Sequence, residues 1–301
     1  MPFRIRPDAD FTDEFRDAAG RELRRAIATL EQQPDGADEA IHDFRKNLKK
    51  VRSLYRLVAR EVPDFQKREN ARLRDAAKSL SAIRDAAALI GTVEYLKEKA
   101  RSMEEAEALG RTVAILEARR DWMAEAESGL EQKLQETADV LKEARAALDD
   151  VSFSGSGKKA IRLVGKGWRR TARKARAAIA RCHDEASAEA FHELRKRTQD
   201  FRAYHRLLTP LWPAAMKARR ADTKELVDIL GHVHDLAVLG ALVEAEPQLF
   251  TRDDDLSRLL DSIAHRQQED RRDSLVKAEA VFAGKPAKEA KHIEVLWRAA
   301  A

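Results

Sequence analysis

"IHDFRKNLKKVRSLYRLV", residues 41–58, returns as "FHELRKRTQDFRAYHRLL" at residues 191–208, every matched position displaced by 150. A second pair keeps that offset, with "LSAIRDAAAL" at 80–89 matching "LGHVHDLAVL" at 230–239. Two phrases repeated in one register mark an internal duplication, so the fold is read as two copies of one unit. Positions three and four apart share a helix face. On that spacing Ile41, Phe44, Leu48, Val51, Tyr55 and Val58 form an apolar seam, and Phe191, Leu194, Thr198, Phe201, His205 and Leu208 form its copy.

About 100° around the same helix lies a cationic ridge. It comprises His42, Arg45, Lys49, Arg52 and Arg56 with Lys46 alongside, and is repeated as His192, Arg195, Gln199, Arg202 and Arg206 with Lys196 alongside. Basic residues on a helix usually form a solvated face laced with acidic partners. This ridge reads otherwise, because Asp43 and Glu193 are poorly placed to neutralise its whole length. Lys166, Arg169, Arg170, Arg173, Lys174 and Arg176 line a further basic face before the second phrase. Arg21, Arg24 and Arg25 stand in the corresponding place of the first half. Two basic helices per half suggest a groove for an elongated polyanion, with guanidinium groups matching phosphate oxygens and ammonium groups adding point charge.

The chain has 301 residues, 44% hydrophobic, 36% charged and 6% aromatic, and is rich in the residues that lose least on entering a helix. The class is all-α: two pseudo-symmetric four-helix bundles, one per repeat (1–151 and 158–301), joined at the Gly/Ser-rich stretch 152–157. In the first half helices are expected over 10–32, 38–61, 64–90 and 92–148, the last bending at Gly110. In the second they are expected over 158–180, 186–208, 213–244, 253–282 and 289–299. The net charge of +5 is modest, but residues 151–182 hold ten basic side chains and no acidic one. Cys182 is the only cysteine, which excludes an intramolecular disulfide and a cysteine-built metal site. No apolar signal core or uninterrupted run of about 20 apolar residues is present, so the expectation is a soluble cytoplasmic protein without a membrane partner.

Enzyme chemistry has little to stand on. Grouped carboxylates for a metal, or a nucleophile beside a base, are not found. "SGSGKKA" at 154–160 fails the phosphate-loop pattern, with Ser152 where its first glycine belongs and Lys159 where Ser or Thr should stand. His232 and His234 lie about 200° apart on a helix and cannot readily face one ion. No metal or cofactor is therefore expected. His42 and His192 are open to two readings, phosphate donors or helix-start residues bonded to backbone. Asp85 and Asp235 could orient ridge arginines, coordinate a cation or pair within the bundle, and the structural role is favoured.

The ordered phrases "IHDFRK", "LSAIRDAA", "FHELRK" and "LGHVHDLA" resemble the CHAD family, the conserved histidine α-helical domain, over residues 11–297. The resemblance implies paired four-helix bundles with a basic central surface that binds inorganic polyphosphate, association with polyphosphate granules, and no established catalysis. Its basic positions fall on His42, Arg45, Lys46, Lys49, Arg52, Arg56, His192, Arg195, Lys196, Arg202 and Arg206. The Glu-x-Glu-x-Lys signature of the triphosphate-tunnel domain that many members also bear is absent, so the likeness is to a stand-alone binding module. The chain departs from the pattern at Ser81, where the second half has Gly231, and at His234, opposite Arg84. Gln199 and Asp200 replace Lys49 and Lys50, which thins the second ridge. The same cations would also bind the phosphates of DNA or RNA, and a helical scaffold for acidic proteins is a third reading.

Overall fold

The computed structural model of the chain describes residues 3–126, 129–153 and 157–301, excluding the side chains at 81–85, 124, 126 and 158. Among the described residues there are eleven α-helices and no strand. In order they are α1 (Phe11–Gln32), α2 (Ala37–Val58), α3 (Pro63–Ser79), α4 (Ser81–Glu98), α5 (Met103–Ala126), α6 (Leu130–Ala146), α7 (Gly157–Glu185), α8 (Ala188–Leu207), α9 (Pro213–Ala245), α10 (Asp253–Val281) and α11 (Pro286–Ala300). The 150-residue offset reappears in their starting points, since α3 and α9 begin at Pro63 and Pro213, and α5 and α10 at Met103 and Asp253.

Local chemistry sets many of these boundaries. Asp10 caps α1 by accepting from the Asp13 amide at 3.0 Å, and Ser187 caps α8 by accepting from Ala190 at 3.2 Å. Proline, whose missing N–H costs nothing in a first turn, opens α3, α9 and α11. Gly36, at φ 85°, enters α2 from the left-handed side that other residues avoid.

Two expected helices are broken. The third divides at Leu80 into α3 and α4, whereas its repeat counterpart α9 runs unbroken. The long 92–148 pattern divides into α4, α5 and α6, and Gly110 sits inside α5 with no bend assigned to it. The break before α5 has a visible cause. Ser102 Oγ accepts from the Glu105 amide at 3.2 Å, and Glu105 reaches back to the Arg101 amide at 2.7 Å, a reciprocal cap that starts a new helix.

The helices build two apolar cores that cut across the repeat. The larger joins Phe15, Phe44, Tyr55, Leu73 and Leu141 of the first half to Trp168, Leu194, Phe201, Tyr204 and Trp297 of the second. The smaller gathers Val93 and Leu109 from α4 and α5 with Leu236 and Leu259 from α9 and α10. Two helices of each half complete the smaller core, so the halves share both interiors. α9, long and apolar enough by length and composition to cross a bilayer, packs between α8 and α10 and serves both cores. α7 meets the end of α2 so closely that a Cβ on Gly167 would collide with the Leu57 carbonyl.

Candidate functional site: a cationic cluster where the two repeats meet

All twelve seam positions of α2 and α8 are buried, so the periodicity that located the ridge beside the seam holds. α2 and α8 pack on each other, with Ser53 Oγ donating to Asp200 Oδ1 at 2.8 Å. The first turns of the two ridges converge. Arg45 and Asp235 are the charges that act on Arg195, and Lys49 of α2 acts on His234 of α9. The rings of His192 and His234 lie 5.3 Å apart, inclined at 40°. Five basic side chains from three helices (Arg45, Lys49, His192, Arg195 and His234) thereby form one cluster.

The cluster is held from behind. Arg45 donates to the Ala77 carbonyl at 3.0 Å at the end of α3. Arg195 lies against Gly231 of α9, where an added Cβ would stand 3.7 Å from its Nη2. Buried nitrogens without a hydrogen-bond partner include Arg195 Nε and His192 Nδ1, a costly arrangement that an acceptor would relieve. Burial, then the neighbouring charges, sets the protonation. Burial lowers the Arg195 pKa, with Arg45 adding to the effect and Asp235 opposing it. Burial, Lys196 and Arg195 lower that of His192. Burial followed by Arg195, His192 and Lys49 brings His234 down to about 4. The charge of Asp235 acts on Arg195, while the Asp85 side chain lies outside the described residues.

The far ends of the ridges behave differently from expectation. Arg56 does not face an anion. Its Nε and Nη2 donate to Asp200, the shortest contact being 2.5 Å, and Asp200 is completely buried. Burial would lower the Arg56 pKa, but the field and hydrogen bonds of Asp200 outweigh it and raise the value. Asn70 Oδ1 accepts from Arg52 at 3.1 Å and Arg56 at 3.3 Å, and burial together with Arg56 brings Arg52 down to about 10. Asp200 therefore does more than thin the second ridge, because it neutralises the end of the first. The side chains of Arg202 and Arg206, half-buried, carry no hydrogen bond or ion pair among the described residues.

The acidic neighbours of the ridge are also better placed than the spacing implied. Asp43 lies 2.9 Å from Lys46, and Glu193 lies 2.7 Å from Lys196 and 2.5 Å from Arg197. An exposed pair such as Lys46 with Asp43 contributes only about 0–1 kcal/mol and exchanges readily for a ligand. Glu39, His42 and Asp43 offer ligand atoms within 4.8 Å of one another. The Lys46 ammonium, 3.9 Å from Glu39, already occupies that corner.

The basic helices flanking the ridges do not join them in one groove. On α1, Arg21 pairs with Asp17 at 3.2 Å, and the buried Glu22 takes Arg25 at 2.9 Å and Lys50 at 2.7 Å. Arg24 is exposed to solvent on the same helix. The cations of α7 split between two faces. Arg170 donates to the Arg56 carbonyl, and partial burial, followed by the charges of Arg197 and Arg170, lowers the pKa of Lys174. Arg169, Arg173 and Arg176 instead point to solvent. Sequence reading missed the His192 and His234 pair and the Asp200 clamp. The pairing was signalled only by His234 standing where the repeat has Arg84.

The CHAD domain profile matches residues 8–244. Among solved structures, the crystal structure of the CHAD domain from the plant Ricinus communis superposes with a TM-score of 0.55 at 17% identity, covering 99% of this chain and 97% of that one. No curated protein sequence matches. With the repeated His-and-Arg phrases, the all-helical architecture and a profile match over most of its length, the chain belongs to the CHAD family.

Proposed function

We propose that this chain binds inorganic polyphosphate, without making or breaking bonds, at the cluster of Arg45, Lys49, His192, Arg195 and His234. The observation that carries the reading is the convergence of these groups from α2, α8 and α9, with the Arg195 Nε–H donor and His192 Nδ1 buried and without a hydrogen-bond partner. Like charges so gathered repel until an anion enters, and a guanidinium pair suits phosphate oxygens. Such binding would carry the protein to polyphosphate granules in the cytoplasm.

A nucleic-acid backbone offers the same phosphates but adds bases. Single-strand binders usually present stacking aromatics, and Tyr55, Tyr204 and Trp168 are here buried at 0, 0 and 1% exposure. Competing long-chain polyphosphate against DNA and RNA at equal phosphate concentration and physiological salt should leave polyphosphate bound. Displacement by either nucleic acid would assign the wrong ligand.

Proton uptake should accompany binding. In the free protein His192 and His234 are kept mostly neutral near pH 7, and a phosphate beside them favours the charged form. Their pKa values then rise on binding, so affinity strengthens as pH falls below neutrality, toward the free His234 value of about 4. Between pH 8 and 5.5 a gain of several-fold to about tenfold is expected, one proton giving at most tenfold per pH unit. The H192Q/H234Q variant should flatten the profile, and an equally steep one would remove the histidines from the site.

A further inference from the structure

α7 carries a second basic feature that the cluster does not use. Arg162, Lys166, Arg169, Arg173 and Arg176 follow one another at intervals of four, three, four and three residues, and all five are exposed. This spacing keeps them on one side of the helix, along about 21 Å at a rise of roughly 1.5 Å per residue. Several exposed cations elsewhere on the molecule have carboxylates a turn away, as in Lys46 with Asp43, Lys142 with Asp139, Arg181 with Glu185 and Lys224 with Asp228. Residues 151–182 contain no acidic residue at all. Among the described residues Arg162, Lys166, Arg169 and Arg173 carry no ion pair or hydrogen bond from their side chains, and Arg176 only reaches the Gly284 carbonyl at 3.4 Å. Like charges a turn apart destabilise a helix by a few tenths of a kcal/mol per pair. An unbroken row of them on the protein's most basic stretch is therefore a surface that an extended polyanion would stabilise.

This row and the cluster lie on different sides of α8. That helix meets α7 through Tyr204, whose hydroxyl lies 3.2 Å from Thr171 Oγ1. It meets α9 through His192 and Arg195, which form the cluster with His234 and lie beside Gly231. The row projects from the outer face of α7, away from α8. We infer that the outer face of α7 is a second polyphosphate-binding surface, so that one molecule grips two polyphosphate segments at once and cross-links long chains. The inference rests on the polyphosphate reading of the cluster.

Three proteins decide it: the unaltered chain, the row variant R162Q/K166Q/R169Q/R173Q, and the cluster variant R45Q/R195Q, each checked for unchanged helicity by circular dichroism. With polyphosphate too short to span both surfaces, calorimetric stoichiometry should be two chains per molecule for the unaltered protein and one for each variant. With long-chain polyphosphate, only the unaltered protein should condense it, read as turbidity and sedimentation, because bridging requires both sites. The row variant should also lose about three from the slope of log affinity against log salt, at about 0.7 per phosphate contact of a single strand.

A row variant that still binds two short chains and condenses long ones overturns the second surface. If the unaltered protein binds one chain and the cluster variant none, the second surface fails while the cluster reading stands. Should the row variant lose all short-chain binding and the cluster variant lose none, the cluster reading fails and cross-linking fails with it. Row-dependent binding to anionic phospholipid vesicles, with polyphosphate stoichiometry unchanged, would reassign the row to a membrane surface and overturn the inference.

Discussion

Replacing Arg45 and Arg195 together with glutamate should weaken polyphosphate binding by at least about 100-fold. Each arginine offers charge-assisted hydrogen bonds of about 1.5–3 kcal/mol, and every 1.4 kcal/mol is about a factor of ten. Reversal adds repulsion to that loss. Because a glutamate at position 195 would face Asp235, the glutamine pair R45Q/R195Q serves as the control for folding. It should lose the bulk of the cluster's affinity while keeping the shape of the site. Titration with fluorescent polyphosphate, with the α7 row silenced by R162Q/K166Q/R169Q/R173Q, reads the effect at the cluster alone, and undiminished affinity in a folded double variant on that background would rule the cluster out.

Removing the carboxylate of Asp200 should cost about 3–5 kcal/mol of stability, the range for breaking one partner out of a buried ion pair. Asp200 is fully buried and accepts from Ser53, Arg56 and, at 3.3 Å, Arg197. Without it the Arg56 guanidinium would stand uncompensated near Arg52 and Arg170. Urea unfolding of D200A should show a midpoint far below that of the unaltered protein. D200N, which retains an acceptor oxygen and the volume, should lose less. Equal midpoints for all three would mean that the clamp contributes nothing.

Much of the fold was legible because it rests on periodicity. The spacing of Ile41, Phe44, Leu48, Val51, Tyr55 and Val58 fixes a helix and its buried side without reference to any neighbour. The break before α5 was also written in the chain, as Ser102 followed three residues later by Glu105, but an amphipathic pattern that continues through it conceals it. The split at Leu80 has no comparable local mark, and α9 shows that a similar stretch can stay continuous. The candidate site was legible as a list of cations and illegible as an arrangement. Nothing near Asp200 in the chain reveals that its partner is Arg56, 144 residues away. His192 and His234 meet only once α8 lies on α9. Position along a helix gives the face, and only tertiary contact decides whether that face meets an acid, a second cation or water.

The shared smaller core has a consequence for what the duplication now means. Each half contributes α4 and α5 or α9 and α10 to a core it cannot close alone, and α9 is continuous through both cores. The two halves are interlocked through both cores, so neither is a detachable module. Loss of either half would open both interiors together, and evolution can vary the two ridges independently only while the joint that holds them is kept.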